Sequence, residues 1–289
     1  MRKLILAAAG AAIACHALAQ PRPAQTTVHH GGPTLFVAQA EGAKTVPPSN
    51  SAATATGAFL VDPQRRTMRY DFTFHGLERG APKTIALYNF GPGRNGERVH
   101  VMCGAGASAC PDAASGNVTG TWEGRIDNRL LGEIASSRIY VQVDGGDGRA
   151  ELRAQLEPNS AMVPVRNFAA HLVSAAGVES RGVGTAFYSE VHFAGGRVAV
   201  VYQVTVANTK GEPRSVLLRA AESSVLPGAR LLKSRNAAES GGTIRGSFEV
   251  ASGGNKALLA GSREAQSTLV VTTAGFPNGE LSGVLDPVN

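Results

Sequence analysis

Cysteine clusters, basic clusters, long apolar runs, helical stretches and catalytic signatures are all scarce in this chain of 289 residues, and each absence excludes something. There are three cysteines, none in a C-x-x-C arrangement, and Cys103 and Cys110 have no neighbouring Cys/His pair, so neither a thioredoxin-type redox centre nor a zinc site is expected of them. No G-x-S-x-G elbow is present, and neither Cys103 nor Cys110 sits in a recognisable nucleophile setting. Lys and Arg number 28 against 22 Asp and Glu, and they are spread rather than clustered, so no nucleic-acid partner is expected. The densest group, Arg65, Arg66 and Arg69, reads as the solvated end of a strand. Beyond the first residues no segment approaches the length needed to cross a bilayer.

What is present begins with an address. Arg2 and Lys3 form a positive n-region, residues 4–14 an apolar h-region, and Ala17-Leu18-Ala19 a small-x-small cleavage site, so residues 1–19 are predicted to be a signal peptide removed on export. The protein is then expected in the periplasm or outside the cell. The alternative is a lipoprotein anchored at Cys15, because Ala12-Ile13-Ala14-Cys15 loosely resembles a lipoprotein box that lacks its usual leucine. Cleavage leaves 26 basic and 22 acidic residues, a mild net charge of +4. Residues 20–33, rich in Pro, Gly, Thr and Gln, read as a disordered lead-in. Within it His29 and His30 are a pair able to scavenge a transition metal, with no third ligand nearby.

Cleavage would leave Cys103 and Cys110, separated by Gly-Ala-Gly-Ala-Ser-Ala. In an oxidising compartment such a pair is expected to close as a disulfide, worth roughly 2–3 kcal/mol for so short a ring.

The body of the chain reads as strand. Residues 68–74 (MRYDFTF) place apolar side chains at every second position, which predicts one buried and one wet face, and residues 200–206 (VYQVTV with its flanking Val) repeat the pattern, Tyr202 answering Tyr70. Turns at Asp62-Pro63, Asn95-Gly96, Gly145-Gly146, Gly195-Gly196, Gly253-Gly254 and Asn278-Gly279 punctuate the strands. Residues 128–136 and 256–263 each allow a turn or two of helix. The plan of residues 139–156 returns in residues 268–285: a β-rich run, a glycine turn, Glu-Leu, and a second strand closing on Leu. Gly57-Ala58-Phe59 matches Thr185-Ala186-Phe187 in character, Gly120-Thr121-Trp122-Glu123 matches Gly246-Ser247-Phe248-Glu249, and Glu151-Leu152 matches Glu280-Leu281. The expected architecture is therefore all-β, two tandem antiparallel Greek-key β-sandwich domains with little helix. They are expected at residues 34–157 and 166–289, joined by a linker at 158–165.

The order of several segments resembles the chordin-type (CHRD) domain. They are Val46-Pro47-Pro48, the Phe74-His75-Gly76-Leu77 strand end, the Gly91-Pro92-Gly93-Arg94-Asn95-Gly96 loop, Tyr140-Val141-Gln142-Val143, and the Glu151-Leu152-Arg153-Ala154-Gln155-Leu156 strand. The first copy carries the pattern from Phe36 to Leu156. The second, divergent, keeps mainly residues 276–283 (FPNGELSG). Where the family commonly has His-Ile-His, this chain has Ala86-Leu87-Tyr88 and Leu217-Leu218-Arg219. In place of the family's Val-His-Thr it has Val143-Asp144-Gly145 and Val271-Thr272-Thr273. The resemblance implies an exported β-sandwich module, in animals a matrix or growth-factor-binding one and in bacteria of undefined role, and brings no catalytic residues and no cofactor.

Residues 91–96 formally fit G-x-G-x-x-G, but strand-like residues 97–102 follow, so a turn is expected instead of a dinucleotide cradle. Asp144, Asp147 and Glu151 are candidate oxygen ligands for Ca²⁺, without EF-hand spacing. His75, His100, His171 and His192 fall singly on strands, where folding could gather His75 and His100. The expectation is an exported, non-catalytic module that binds a protein or a cell-envelope component. The alternatives are a metal-binding exported protein and an unrecognised exported enzyme.

Overall fold

The computed structural model describes residues 32–158, 165–219, 223–232, 240–262 and 267–288. The expected signal segment, Cys15, His29 and His30 lie outside the described residues. The first half carries β1 (Thr34–Glu41), β2 (Thr54–Asp62), β3 (Thr67–His75), β4 (Thr84–Asn89), β5 (Arg98–Gly104), β6 (Gly116–Glu123), helix α1 (Asn128–Ala135), β7 (Ile139–Asp144), β8 (Ala150–Gln155) and β9 (Glu157–Pro158). The second carries β10 (Val165–Ser174), β11 (Val183–His192), β12 (Val198–Ala207), β13 (Pro213–Arg219), β14 (Ser223–Val225) and β15 (Arg230–Leu232). It continues with β16 (Gly241–Val250), β17 (Thr268–Thr273), β18 (Leu281–Val284) and β19 (Asp286–Val288). The two stretches read as permitting helix become α1 and a pair of 3-10 turns, Lys256–Leu258 and Ala260–Ser262.

One antiparallel sheet runs β5-β4-β7-β8-β1-β2-β3-β6 with β9 beside β1; the other runs β14-β13-β17-β18-β10-β11-β12-β16-β15 with β19 beside β10. The order is the same strand for strand, β15 being the addition, so the fold is all-β and built twice. Each sheet curls around its own apolar core. In the first, the two ends meet where His100 of β5 stacks on Trp122 of β6 at 4.7 Å, and the Cys103–Cys110 disulfide staples the connection between those strands.

Equivalent positions follow from register. Tyr70 lies opposite Gly120 and Tyr202 opposite Gly246, and in both places a methyl on the glycine would collide with the phenol. Tyr70 pairs on its other side with Phe59, and Tyr202 with Tyr188. Phe59 therefore corresponds to Tyr188, and the sequence match of Gly57-Ala58-Phe59 to Thr185-Ala186-Phe187 is one residue out of step. The shift matters because a one-residue slip exchanges the two faces of a strand. Corrected, Thr56 corresponds to Thr185, Thr73 to Thr205, and Asp71 to Gln203.

These residues correct the expectation of a wet outer face over part of each strand, whereas Arg69 and Val201 on the same faces are exposed. On β3, Met68, Tyr70, Phe72 and Phe74 point into the core as predicted, but Thr73 on the opposite face is 0% exposed, as is Thr205 on β12. The second copy covers the first there, so the face is polar and dry. Thr56 bonds Thr205 at 2.6 Å, and Thr73 bonds Thr185 at 2.7 Å. By the equivalences above these are one contact made twice around a pseudo-two-fold axis, as in an isologous dimer. The neighbouring bonds obey the same axis: Gln203 Nε2 donates to Thr56 at 2.7 Å, and Thr185 donates to Asp71 at 2.7 Å. Thr243 extends the chain of hydroxyls, bonding both Thr205 (2.7 Å) and Thr54 (2.8 Å). Beside this network Leu35, Ala58 and Val288 form a small apolar cluster that also joins the copies.

Candidate functional site

The Glu-Leu signature that marks the repeat has a structural use. Glu151 and Glu280 are both 0% exposed. Glu151 accepts hydrogen bonds from the Ser51 hydroxyl (2.8 Å) and the backbone N–H groups of Glu78 (2.5 Å) and Arg79 (3.2 Å). Glu280 accepts from the Ser180 hydroxyl (2.6 Å), the Lys210 N–H (2.6 Å) and the Thr273 hydroxyl (2.7 Å). Each carboxylate thus pins the strand after its glycine turn to the loop after the third strand of its copy. Several charge-assisted bonds offset the desolvation of a buried anion.

The other predicted ligands are engaged separately. Asp144 accepts from Gln142 Nε2 at 2.7 Å, and burial pushes its carboxyl up. Asp147 accepts from the Arg149 N–H at 2.9 Å and lies 3.4 Å from Arg79. Among the described residues no group of three or more His, Cys, Asp or Glu is placed to hold a metal ion. The histidines go to different places. His75 bonds Ser115 at 3.0 Å. His100 lies between Tyr70 and Trp122, where burial pulls its pKa down to about 4. His171 bridges the copies to Asp71 at 2.9 Å, a bond that raises its pKa against the opposing effect of burial. His192 contacts Glu190 at 3.2 Å.

A different set of residues does converge. Residues 91–96 form a turn leading into β5 and not a helix. This turn, the Val46-Pro47-Pro48 segment and the outer face of β8 come together around a concavity of about 570 Å³, lined by Val37, Val46, Pro48, Pro92, Arg153 and Gln155 among others. Its volume is within the usual range of small-molecule sites. Asn95 ties two of these segments to each other, donating to the Val46 carbonyl at 3.0 Å. Arg153 ties the third. Its guanidinium donates to Asn95 Oδ1 (3.4 Å), the Gly91 carbonyl (3.1 Å) and Gln155 Oε1 (3.3 Å), and lies 3.5 Å over the centre of the Tyr140 ring. Tyr140 in turn stacks on Tyr88 at 5.2 Å and accepts from the Gly96 N–H at 3.1 Å.

Among the described residues Arg153 is the largest side chain buried to this degree, 1% exposed, yet no carboxylate among them lies within 4.0 Å of it. Glu41, opposite it in register on β1, turns its carboxylate to Arg245 of the second copy at 3.4 Å. Every acceptor on the guanidinium is neutral, and burial lowers its pKa. The second copy repeats the Glu pin but not this arrangement. In register, Thr268 stands where Tyr140 does, Ser282 where Arg153 does and Val284 where Gln155 does.

Sequence reasoning quoted Arg153 and Gln155 as part of a motif and assigned them no role. The available signal was the internal repeat itself, in which Arg-Ala-Gln faces Ser-Gly-Val at aligned positions. In comparison with known proteins, the chain matches no family model, no curated protein and no solved structure.

Proposed function

We propose that this chain is an exported, non-catalytic CHRD-like module of the bacterial periplasm or cell envelope, and that it binds a protein or envelope component at the concavity of its first copy. One observation carries the reading: three of the separated segments that bear the family resemblance, at residues 46–48, 91–96 and 151–156, meet around one concavity, and the second copy lacks its Arg153 and Gln155. Features common to both copies, the Glu pin and the Tyr-over-Gly pair, hold the fold. Those found only in the first are free to serve recognition. Loops and turns on a rigid sheet are the usual place for it. The disulfide suits an oxidising compartment, and among the described residues no helix is long and apolar enough to cross a membrane.

The test is co-sedimentation of the purified protein with the envelope fraction of its source cells. Wild type is expected to be retained, and Ala43→Trp, which fills the concavity from its exposed wall, to lose most of that retention. Two results contradict the reading. One is retention indifferent to Ala43→Trp. The other is turnover of ester, phosphate or glycoside substrates that disappears in the Asp71→Asn, His171→Gln double variant.

A further inference from the structure

We infer that the concavity recognises an oxyanion, a carboxylate or phosphate group of its ligand, with Arg153 as the binding residue and Lys44 at the rim; this rests on the reading of the concavity as the binding site. The argument starts from uncompensated charge. A buried guanidinium normally has a carboxylate partner, because desolvating a cation is costly. Arg153 has only neutral acceptors, and of the five N–H donors a guanidinium carries, three are used by Asn95, Gly91 and Gln155. The remaining two are without a protein acceptor among the described residues, on a side chain that lines the concavity.

The group is also held still. Stacking on Tyr140, with Tyr140 stacked on Tyr88, fixes the guanidinium plane, and Gly91 and Asn95 fix its rotation. A guanidinium fixed in advance loses little conformational entropy on binding; with both Nη2 hydrogens spent on Gly91 and Gln155, its Nε–H and second Nη1–H are left to make single charge-assisted bonds to oxyanion oxygens. Lys44, which also lines the concavity, spends one ammonium proton on the Gln39 carbonyl at 2.6 Å and has no carboxylate within 4.0 Å among the described residues. One acidic residue, the exposed Glu157, also lines the concavity, leaving the two cations in excess. Val37, Val46, Pro48 and Pro92 give apolar wall for the rest of the ligand. The second copy, with Ser282 in place of Arg153, supplies an internal control.

The experiment is a ¹H–¹⁵N NMR titration of the purified protein with acetate, citrate and inorganic phosphate at constant ionic strength, against chloride. Saturable shifts are expected at the amides of Thr45, Val46, Gly93 and Gln155, with none at Ser282 or Val284. Stronger response to citrate or to phosphate tells which oxyanion the site prefers. Arg153→Lys, which keeps the charge and loses the fixed planar guanidinium, is expected to weaken binding at least tenfold, and the exposed Lys44→Met several-fold. Should the buried substitution fail to fold, Lys44→Met alone still decides. Overturning results are no saturable shift with any of the three anions, shifts centred elsewhere, or affinity unchanged in Lys44→Met and Arg153→Lys. If the anions fail while Ala43→Trp still abolishes envelope retention, the oxyanion assignment falls and the binding reading stands. If retention is indifferent to Ala43→Trp, the binding reading itself falls.

Discussion

At the residue scale, the buried carboxylates are the clearest case of sequence signal with a misread cause. Glu151 and Glu280 were visible as a repeated Glu-Leu, and Glu151 had the chemistry of a calcium ligand. What the sequence cannot display is that Ser51, exactly as far along the chain from Glu151 as Ser180 is from Glu280, closes over the carboxylate. Replacing Glu280 by Ala leaves the buried Thr273 hydroxyl, the half-buried Ser180 hydroxyl and the Lys210 N–H without their acceptor, and is expected to cost about 3 kcal/mol. Urea midpoints at unchanged slope read this directly, and a loss below about 1 kcal/mol would show that the pin is dispensable. The histidines make a pH prediction. His100 has a folded pKa of about 4, below the unfolded value of about 6.5, so the unfolded chain binds more protons between them and stability is lost as pH falls through that window. His171 has a raised folded pKa, so its contribution is complete below about 6.5 and is lost as pH rises through the folded value. Melting temperature should therefore decline on both sides of about pH 6.5. His100→Gln should flatten the acid limb and His171→Asn the alkaline one; limbs unchanged in both variants would contradict the assignment.

At the scale of elements, much was legible. Period-two alternation placed β3 and β12, glycine turns separated the strands, and the helical window at 128–136 became α1, whose Asp127 accepts from the Leu130 N–H at 2.7 Å as an N-cap. The GxGxxG-like residues 91–96 form a turn followed by β5, so no helix N-terminus is there to supply amide groups for a dinucleotide phosphate. Less legible was the match between copies. Gly57-Ala58-Phe59 and Thr185-Ala186-Phe187 look alike, but composition carries no register, and only the pairing with Tyr70 and Tyr202 shows the slip. The Cys103–Cys110 staple links the ends of β5 to the connection leading into β6. Its loss in the double Cys103→Ser, Cys110→Ser variant is expected to lower unfolding free energy by roughly 2–3 kcal/mol. An unchanged denaturation midpoint would mean that the loop is already held by its surroundings.

At the scale of the whole molecule, duplication was legible and the joining of the copies was not. A threonine on a strand reads as solvent-facing unless something covers it, and the cover here is the same fold repeated more than a hundred residues away. The Thr54, Thr243, Thr205, Thr56 chain makes a graded prediction. Thr205→Val interrupts it in the middle and leaves two hydroxyls short of a partner, whereas Thr54→Val removes its end and leaves one. A loss of about 1–3 kcal/mol for the first, clearly exceeding the second, is expected from chemical unfolding. Equal small effects would mean that the interface is wet. The concavity was the least legible feature, because it is assembled from three segments far apart in sequence. The most direct test of the account is hydrogen–deuterium exchange of the purified protein with and without the envelope fraction of its source cells. Slowed exchange is predicted at residues 43–48 and 91–96 of the first copy, with residues 279–285 of the second unchanged. Protection confined to the second copy, or none at either place, would contradict the claim that the first copy alone carries the binding site.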